Sequence, residues 1–369
     1  MREYLLCLLA AAAVTYLLTP LVRAMAIRYG AIAIARDRDV HLLPTPRWGG
    51  LAMAGGFIVA VILASNLPLM STIFQDSKQI TALLLSASII VVLGLLDDRF
   101  GLDAPTKLVG QILAAAVLAL KGVTMVWIPV KGIFILDPST SVLATVLVVL
   151  VSINAVNMVD GLDGLAASIG GIGAAAFFAY SYFLSVQNGY QRATLATLVS
   201  AALVGMCIGF LPHNWFRARI FMGDTGSMLI GLFMAASSIM LTGQVDPGGL
   251  TGGVLLPAFL PIVLPLIILS VPLVDLSLAI IRRTRKGRSP FAPDKEHLHH
   301  RLLDLGHGQQ RAVLIMSAFT AVVAFGAVSL AFVPFWATGL GVSFGIFALF
   351  VWVLNPSDGA KALDSSTTL

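Results

Sequence analysis

Leu83-Leu-Leu-Ser-Ala-Ser-Ile-Ile-Val-Val-Leu-Gly-Leu-Leu96-Asp97-Asp98-Arg99 is an apolar helix that stops on two adjacent carboxylates. A carboxylate at the centre of a bilayer costs about 2.5–3.5 kcal/mol even on the lenient insertion scale. The run therefore reads as a membrane helix whose end, at the water boundary, has a reason to be acidic. The rest of the chain has the same character. Hydrophobic residues make up 58% and charged residues 11%, against roughly 25% charged in soluble domains. Such a chain cannot cover a water-facing surface. The formal net charge of +5 is no nucleic-acid signal, because the basic residues lie between apolar spans.

A spanning helix needs about 17–25 mostly apolar residues. That criterion predicts roughly eleven, near 4–24, 49–70, 80–96, 107–121, 139–157, 164–186, 192–211, 227–242, 254–281, 311–333 and 336–354. The first is read as a retained helix, since Arg2-Glu3 and the lack of a cleavage motif before Pro20 argue against a leader. Between 122 and 138 the β-branched and aromatic residues around Val130-Lys131-Gly132 predict a small interfacial β-hairpin. The expected fold class is an all-α polytopic membrane bundle. One integral-membrane domain covers 1–355, and a polar cytoplasmic tail, 356–369, is expected to be disordered. Cys7 and Cys207 lie in apolar stretches without partners at ligand spacing and read as packing residues.

Threading the spans makes the loops alternate sides. One side gathers Arg23, Arg28, Arg36, Arg38, Arg47, Arg99, Lys107, Arg217, Arg219 and the basic residues from Arg282 onward. The other holds only Arg2, Lys78, Lys121, Lys131 and Arg192. The positive-inside bias then puts the N-terminus outside and the C-terminus in the cytoplasm. The same threading carries four polar clusters to the cytoplasmic side.

The first cluster is Asp97-Asp98. Two unit charges about 4 Å apart repel by roughly 4 kcal/mol at an effective dielectric near 20. The pair asks for a cation, a proton or a basic neighbour; the plainer reading is a solvated helix end neutralised by Arg99 and Lys107. Asp103 before Pro105 reads as the N-cap of the next helix. The second cluster, Asn154-Ala-Val-Asn157-Met-Val-Asp160-Gly-Leu-Asp163-Gly164, offers oxygen ligands for a hard cation and groups able to read a base edge. Its spacing excludes an EF-hand loop. In the third, Phe221-Met-Gly-Asp224-Thr-Gly-Ser227, Asp224 suits either an N-cap or a magnesium-bound diphosphate, and Ser227 competes for the cap. Phe221 can stack on a flat ring or anchor the loop in lipid. The fourth, Pro293-Asp-Lys-Glu-His297-Leu-His299-His300-Arg301, aims imidazoles and a guanidinium at one region. Phosphate contacts suit it better than a zinc site, which would bring a closed ligand set. The basic residues 282–288 read as a stop-transfer flank against anionic headgroups, and Asp275 as a buried structural carboxylate.

Taken together, His41-x-x-Pro44-x-Pro46-Arg47-x-Gly49-Gly50, Leu96-Asp97-Asp98, Asn154-Ala-x-Asn157-x-x-Asp160-Gly-x-Asp163-Gly-Leu, Phe221-x-Gly-Asp224-x-Gly-Ser and the histidine motif resemble the polyprenyl-phosphate N-acetylhexosamine-1-phosphate transferases, most closely their bacterial WecA/TagO-like branch. One departure is that Gly101 holds the place where the family's acidic motif often carries a third Asp. The resemblance implies a multi-pass enzyme of the bacterial cytoplasmic membrane, its active site facing the cytoplasm. Such an enzyme moves GlcNAc-1-phosphate from UDP-GlcNAc to a polyprenyl phosphate and releases UMP, the first membrane step of a cell-envelope glycan pathway. Its implied partners are the UDP-N-acetylhexosamine, the lipid phosphate, membrane lipids and, as an option, a second copy of the chain.

By position, Asp224 and Asn157 would hold Mg²⁺, with Mn²⁺ as an alternative. Asp97 and Asp98 would face the lipid phosphate as catalytic residues, with His297 and His299. Asn154, Asp160, Asp163, Phe221, His300, Arg301, Arg38, His41 and Arg47 would bind substrate, Phe221 and Asp163 at the uracil. The rival within the class is the peptidoglycan-type transferase of phospho-MurNAc-pentapeptide. The rival from another class is an ion-coupled secondary transporter, which tends to place its carboxylates at the midplane of broken helices.

Sidedness is directly testable. Single cysteines beside Asp97, Asp160, Asp224 and His297, in a Cys7→Ala, Cys207→Ala background, should resist an impermeant thiol reagent in intact cells and label in inverted vesicles. Labelling from outside at any of them overturns the threading.

Overall fold

The computed structural model describes residues 1–33, 44–75, 77–128, 134–187, 194–243 and 305–355, with isolated residues between 264 and 302. Its long helices are α1 (Arg2–Arg28), α2 (Gly49–Ser65), α4 (Ser77–Phe100), α5 (Ala104–Leu120), α6 (Pro138–Val159), α7 (Leu165–Gln187), α8 (Thr194–Asn214), α9 (Gly223–Thr242), α10 (Gln309–Ser329) and α11 (Phe335–Leu354). A short helix, α3 (Ser71–Gln75), precedes α4. Among the described residues, eight helices are long and apolar enough to cross a membrane, and α2 and α5 are shorter apolar helices. Ten of the expected spans thus coincide with helices. The span expected at 254–281 and the tail 356–369 lie outside the described residues, apart from isolated positions in the former.

Ends are set by local chemistry. Asp103 caps α5, its Oδ1 accepting from the Thr106 amide at 3.3 Å, with Pro at the start of the helix. Asp137 caps α6 in the same way, accepting from the Ser139 and Thr140 amides at 3.1 Å. The predicted hairpin is present as β3 (Trp127–Ile128) paired antiparallel with β4 (Phe134–Ile135); its turn lies outside the described residues. Trp127 is buried there and donates from Nε1 to the Thr242 carbonyl at 3.2 Å, fastening the hairpin to the end of α9. A second pair, β1 (Ile32–Ala33) with β2 (Thr45–Pro46), was not foreseen. Two-residue strands are too short to show a period.

The helix at the centre is α9. Every residue of its span except Asp224 is buried, and it packs on α2, α4, α6, α7 and α8. Small residues allow this, since helices in lipid associate through close packing rather than hydrophobic exclusion. At its first turn a Cβ added at Gly50 of α2 would lie 2.2 Å from the Gly226 amide nitrogen. No side chain can yield there, because the neighbour is backbone. At the rim, α11 packs chiefly on α10 and its apolar side chains are largely exposed, as suits a helix facing lipid. Its last turn is held by the start of α10. His307 Nε2 donates to the Val353 carbonyl at 3.0 Å, and Arg311 Nη2 to the Trp352 carbonyl at 3.1 Å. The Arg311 guanidinium suits the negative end of the helix.

The Gly50 contact yields a test. Gly50→Ala must push α2 off α9 and should destabilise the detergent-solubilised protein by about 1–3 kcal/mol, the usual cost of overpacking. An unchanged thermal midpoint would show that the two backbones do not meet.

Candidate functional site

The C-terminal ends of α4 and α6 meet the N-terminal ends of α2, α5 and α9, so the described polar clusters gather at one end of the bundle. The assembly starts from a helix that lacks its own cap. Met222, at the N-cap of α9, makes no side-chain capping bond. The cap comes from α4 instead. Asp98 Oδ1 accepts from the Asp224 amide at 2.8 Å, and Oδ2 accepts from the Thr225 amide at 3.3 Å and the Thr225 hydroxyl at 2.8 Å. Neither Asp224 nor Ser227 therefore caps the helix. The helix also starts four residues earlier than its apolar run suggests, because an outside carboxylate satisfies its first turn. Gly223 is required twice: its φ is +69°, and a Cβ would lie 2.4 Å from the Asp98 carboxylate.

Asp97 faces differently. Its Oδ1 accepts from the Leu102 amide at 2.8 Å, and its Oδ2 from Lys107 Nζ at 2.9 Å. The same ammonium also pairs with Asp224. Oxygens of Asp97, Asp98 and Asp224 all lie within 4.8 Å of one another. The acidic pair is thus not a solvated helix end, since Asp97 is 7% and Asp98 5% exposed. Lys107 is the neutralising partner; Arg99 lies over the Phe100 ring instead, 5.0 Å from its centroid.

From α6, Asn157 donates through Nδ2 to Ser227 Oγ at 2.9 Å and hydrogen-bonds the Asp224 side chain. Asn154, one turn earlier, donates to Gln111 Oε1 of α5 and to the Leu150 carbonyl, both at 2.8 Å. Asp163 Oδ2 accepts from the Ala218 amide at 3.0 Å. The adjoining Gly164 amide donates to Asn214 Oδ1 at 3.0 Å, and Asn214 Nδ2 donates to the Ile220 carbonyl at 3.0 Å. These bonds brace the loop after α8 that carries Phe221. The first loop closes the same end through a short backbone ladder. Phe221 donates to the Pro46 carbonyl at 2.8 Å, Gly49 to the Phe221 carbonyl at 3.0 Å and Gly50 to the Met222 carbonyl at 2.9 Å. Trp48, at φ 87°, donates from Nε1 to the Leu95 carbonyl at 3.3 Å.

Asp160 follows α6 and is half-buried. Loss of water, then the Asp224, Asp98 and Asp163 carboxylates, push it up to about 8 against the opposing charge of Arg47. Arg47 is thus close enough to Asp160 for its charge to be felt there. Arg38, His41, His297, His299, His300 and Arg301 lie outside the described residues.

Five contributors escaped the sequence reading as site residues: Lys107, Gln111, Asn214, Thr225 and Ser227. Lys107 and Gln111 had a legible signal, since two polar residues four apart on the apolar α5 share one face. Asn214 receives the Gly164 amide and Thr225 bonds the Asp98 carboxylate, partners 50 and 127 residues away, and nothing in their sequence neighbourhood announces that.

The donor set is hard oxygen, which suits Mg²⁺ or Mn²⁺ and not a thiolate-loving metal. The Lys107 ammonium between Asp97 and Asp224 shows that a cation is accommodated at this edge. The residues present therefore fit a divalent ion held by Asp224 and Asn157.

Comparison with known proteins gives a concordant result. The pattern of glycosyl transferase family 4 matches residues 80–242. A decaprenyl-phosphate N-acetylglucosaminephosphotransferase of Mycobacterium tuberculosis (strain CDC 1551 / Oshkosh) is 47% identical over 89% of this chain and 83% of its own. Its namesake in Mycolicibacterium smegmatis is 45% identical over 98% of this chain and 91% of its own. A probable undecaprenyl-phosphate N-acetylglucosaminyl 1-phosphate transferase of Bacillus subtilis is 32% identical over 92% of this chain and 86% of its own.

Asp160 gives this site a pH signature. Its folded pKa lies above the unfolded value of 3.8, so its contribution to stability is complete below that value and is lost as pH rises through about 8. In metal-free, nucleotide-free detergent, the thermal midpoint of the wild type should fall relative to Asp160→Asn between pH 5 and 9. Parallel curves would contradict the raised pKa.

Proposed function

The chain belongs to the polyprenyl-phosphate N-acetylhexosamine-1-phosphate transferases of glycosyl transferase family 4, and from that premise we propose that it transfers GlcNAc-1-phosphate from UDP-GlcNAc to a polyprenyl phosphate at the cytoplasmic face of a bacterial plasma membrane, releasing UMP. The observation that carries the reading is the convergence of Asp97, Asp98 and Asp224 with Lys107 and Asn157 at one end of a membrane bundle. Two anionic phosphates must meet there, and phosphoryl transfer asks for positioning and charge neutralisation more than covalent help.

The oxygen of the lipid phosphate attacks the β-phosphorus of the UDP-sugar. A new phosphorus–oxygen bond forms as the β-phosphorus separates from the bridging oxygen, which leaves with UMP. A phosphate monoester has a second pKa near 6, so the acceptor is largely dianionic at neutral pH and needs little proton removal. Asp97 orients the acceptor or takes a residual proton, while Asp98 keeps the first turn of α9 in place. Asp224 and Asn157 would hold Mg²⁺, which supplies charge neutralisation on the diphosphate. Asp163 and Phe221 would receive the uracil, on the loop braced by Asn214. Asn154, Asp160, Arg47, Arg38 and His41 would complete the substrate cleft. His297, His299, His300 and Arg301 would face the diphosphate and sugar.

The names of the relatives favour GlcNAc over a MurNAc-pentapeptide donor. A transporter is disfavoured because the carboxylates gather at helix ends, where α4 stops and α9 starts, and not at a midplane break.

The deciding assay offers purified protein a panel of UDP-sugars with polyprenyl phosphate and Mg²⁺, and weighs the lipid product. Polyprenyl-diphospho-GlcNAc and UMP should form, chelation should abolish turnover, and Asp224→Asn should lower kcat/KM at least a hundredfold, about 2.7 kcal/mol. UDP-MurNAc-pentapeptide should be at least a hundredfold worse as donor. Comparable turnover of the two donors would refute the sugar assignment and leave the reaction class standing.

A further inference from the structure

Among the described residues, the acidic cluster does not present its oxygens equally. Asp98 spends both oxygens on the first turn of α9, and Asp97 spends Oδ1 on the Leu102 amide. The edge that remains joins Asp97 Oδ2 to Asp224, and Lys107 Nζ sits on it, 2.9 Å from Asp97 Oδ2 and paired with Asp224. A magnesium site is commonly built from one or two carboxylates with water and substrate oxygens, and the carboxylate of the metal reading, Asp224, is one that Lys107 already holds. A compact ammonium and a divalent ion cannot share it, because both are positive and both need the same lone pairs. Lys107 has a way out. Its side chain is 24% exposed, it rises from α5 rather than from a helix carrying the carboxylates, and its four-carbon stem is flexible.

We infer that Lys107 and the divalent cation are alternative partners of the Asp224 carboxylate, so that metal binding at Asp224 and Asn157 displaces the ammonium. Lys107 is then the internal counter-cation that keeps the carboxylates together and sets the threshold of metal affinity. The inference rests on the metal reading given under Proposed function, but extends it to a residue outside the ligand set. The exchange needs no proton: the ammonium leaves the carboxylates, a divalent ion arrives and brings one more positive charge to them, and the lysine keeps its three protons in water.

Two measurements on the full-length protein, without nucleotide, test it. Mn²⁺ binding is followed by the loss of its free-ion electron paramagnetic resonance signal in wild type, Lys107→Gln, Lys107→Arg and Asp224→Asn. The exchange requires Lys107→Gln to bind Mn²⁺ at least tenfold more tightly than wild type, and Lys107→Arg to stay within about threefold. Removing a positive charge strengthens binding by field alone, so wild-type protein is also acylated with an amine-reactive ester, with and without Mg²⁺. Lys107 modification, read by mass spectrometry, should rise severalfold with Mg²⁺. Unchanged Lys107 reactivity, or equal or weaker Mn²⁺ binding in Lys107→Gln, overturns the exchange while the metal site stands. Absence of Mn²⁺ binding in the wild type, or binding undiminished in Asp224→Asn, sinks the metal reading itself. If Lys107→Gln fails to fold, the wild-type acylation result decides alone.

Discussion

The start of α9 is the constraint on which this bundle is organised. A helix leaves its first amides without partners, and inside a membrane protein no bulk water makes up the deficit. Asp98 meets that need from α4, across more than a hundred residues of chain. The bond fixes the height at which α4 and α9 stop against each other. That in turn sets where Asp224 projects, how closely Gly50 of α2 must approach, and which carboxylate oxygens still face the cleft. A negative charge at the positive end of a helix is stabilised by the peptide dipoles as well as by the hydrogen bonds, so burying Asp98 is less costly than its formal charge suggests.

Two neighbouring aspartates therefore do unlike work. Asp97 and Asp98 are consecutive, yet successive residues on a helix point about 100° apart. One turns to the start of α9, and the other turns to Lys107 of α5. A sequence reader sees a dyad; the fold gives one carboxylate to the first turn of α9 and the other to Lys107. The same division holds on α6, where Asn157 reaches Asp224 and Ser227 while Asn154 turns to Gln111.

The membrane helices were legible because their signal is compositional: an apolar run of the right length needs no knowledge of its neighbours. Ten of the expected spans, the hairpin beside Val130-Lys131-Gly132 and the Asp103 cap all followed from local rules. The misses are long-range. α9 begins at Gly223 rather than near Ser227, because the support for its first turn lies on α4. The β1–β2 pair brings Arg47 and Trp48 to the site through contacts too short to leave a period. Lys107 could be named as a neutralising charge, but its bridging of Asp97 to Asp224 depends on how α4 packs against both α5 and α9.

The central position of α9 also has a consequence for biogenesis. Gly50, Asp98, Lys107 and Asn157 all precede α9 in the chain, and synthesis runs from the N-terminus. Each earlier helix can enter the bilayer and pair with those before it, but the acidic cleft lacks Asp224 until the last of these segments leaves the ribosome. Until then Lys107 has Asp97 but not the second carboxylate that it pairs with in the folded chain. The helix that brings Asp224 to Asp97 and Lys107 is also the one on which α2, α4, α6, α7 and α8 pack, so the acidic cluster is assembled only as the bundle closes around α9.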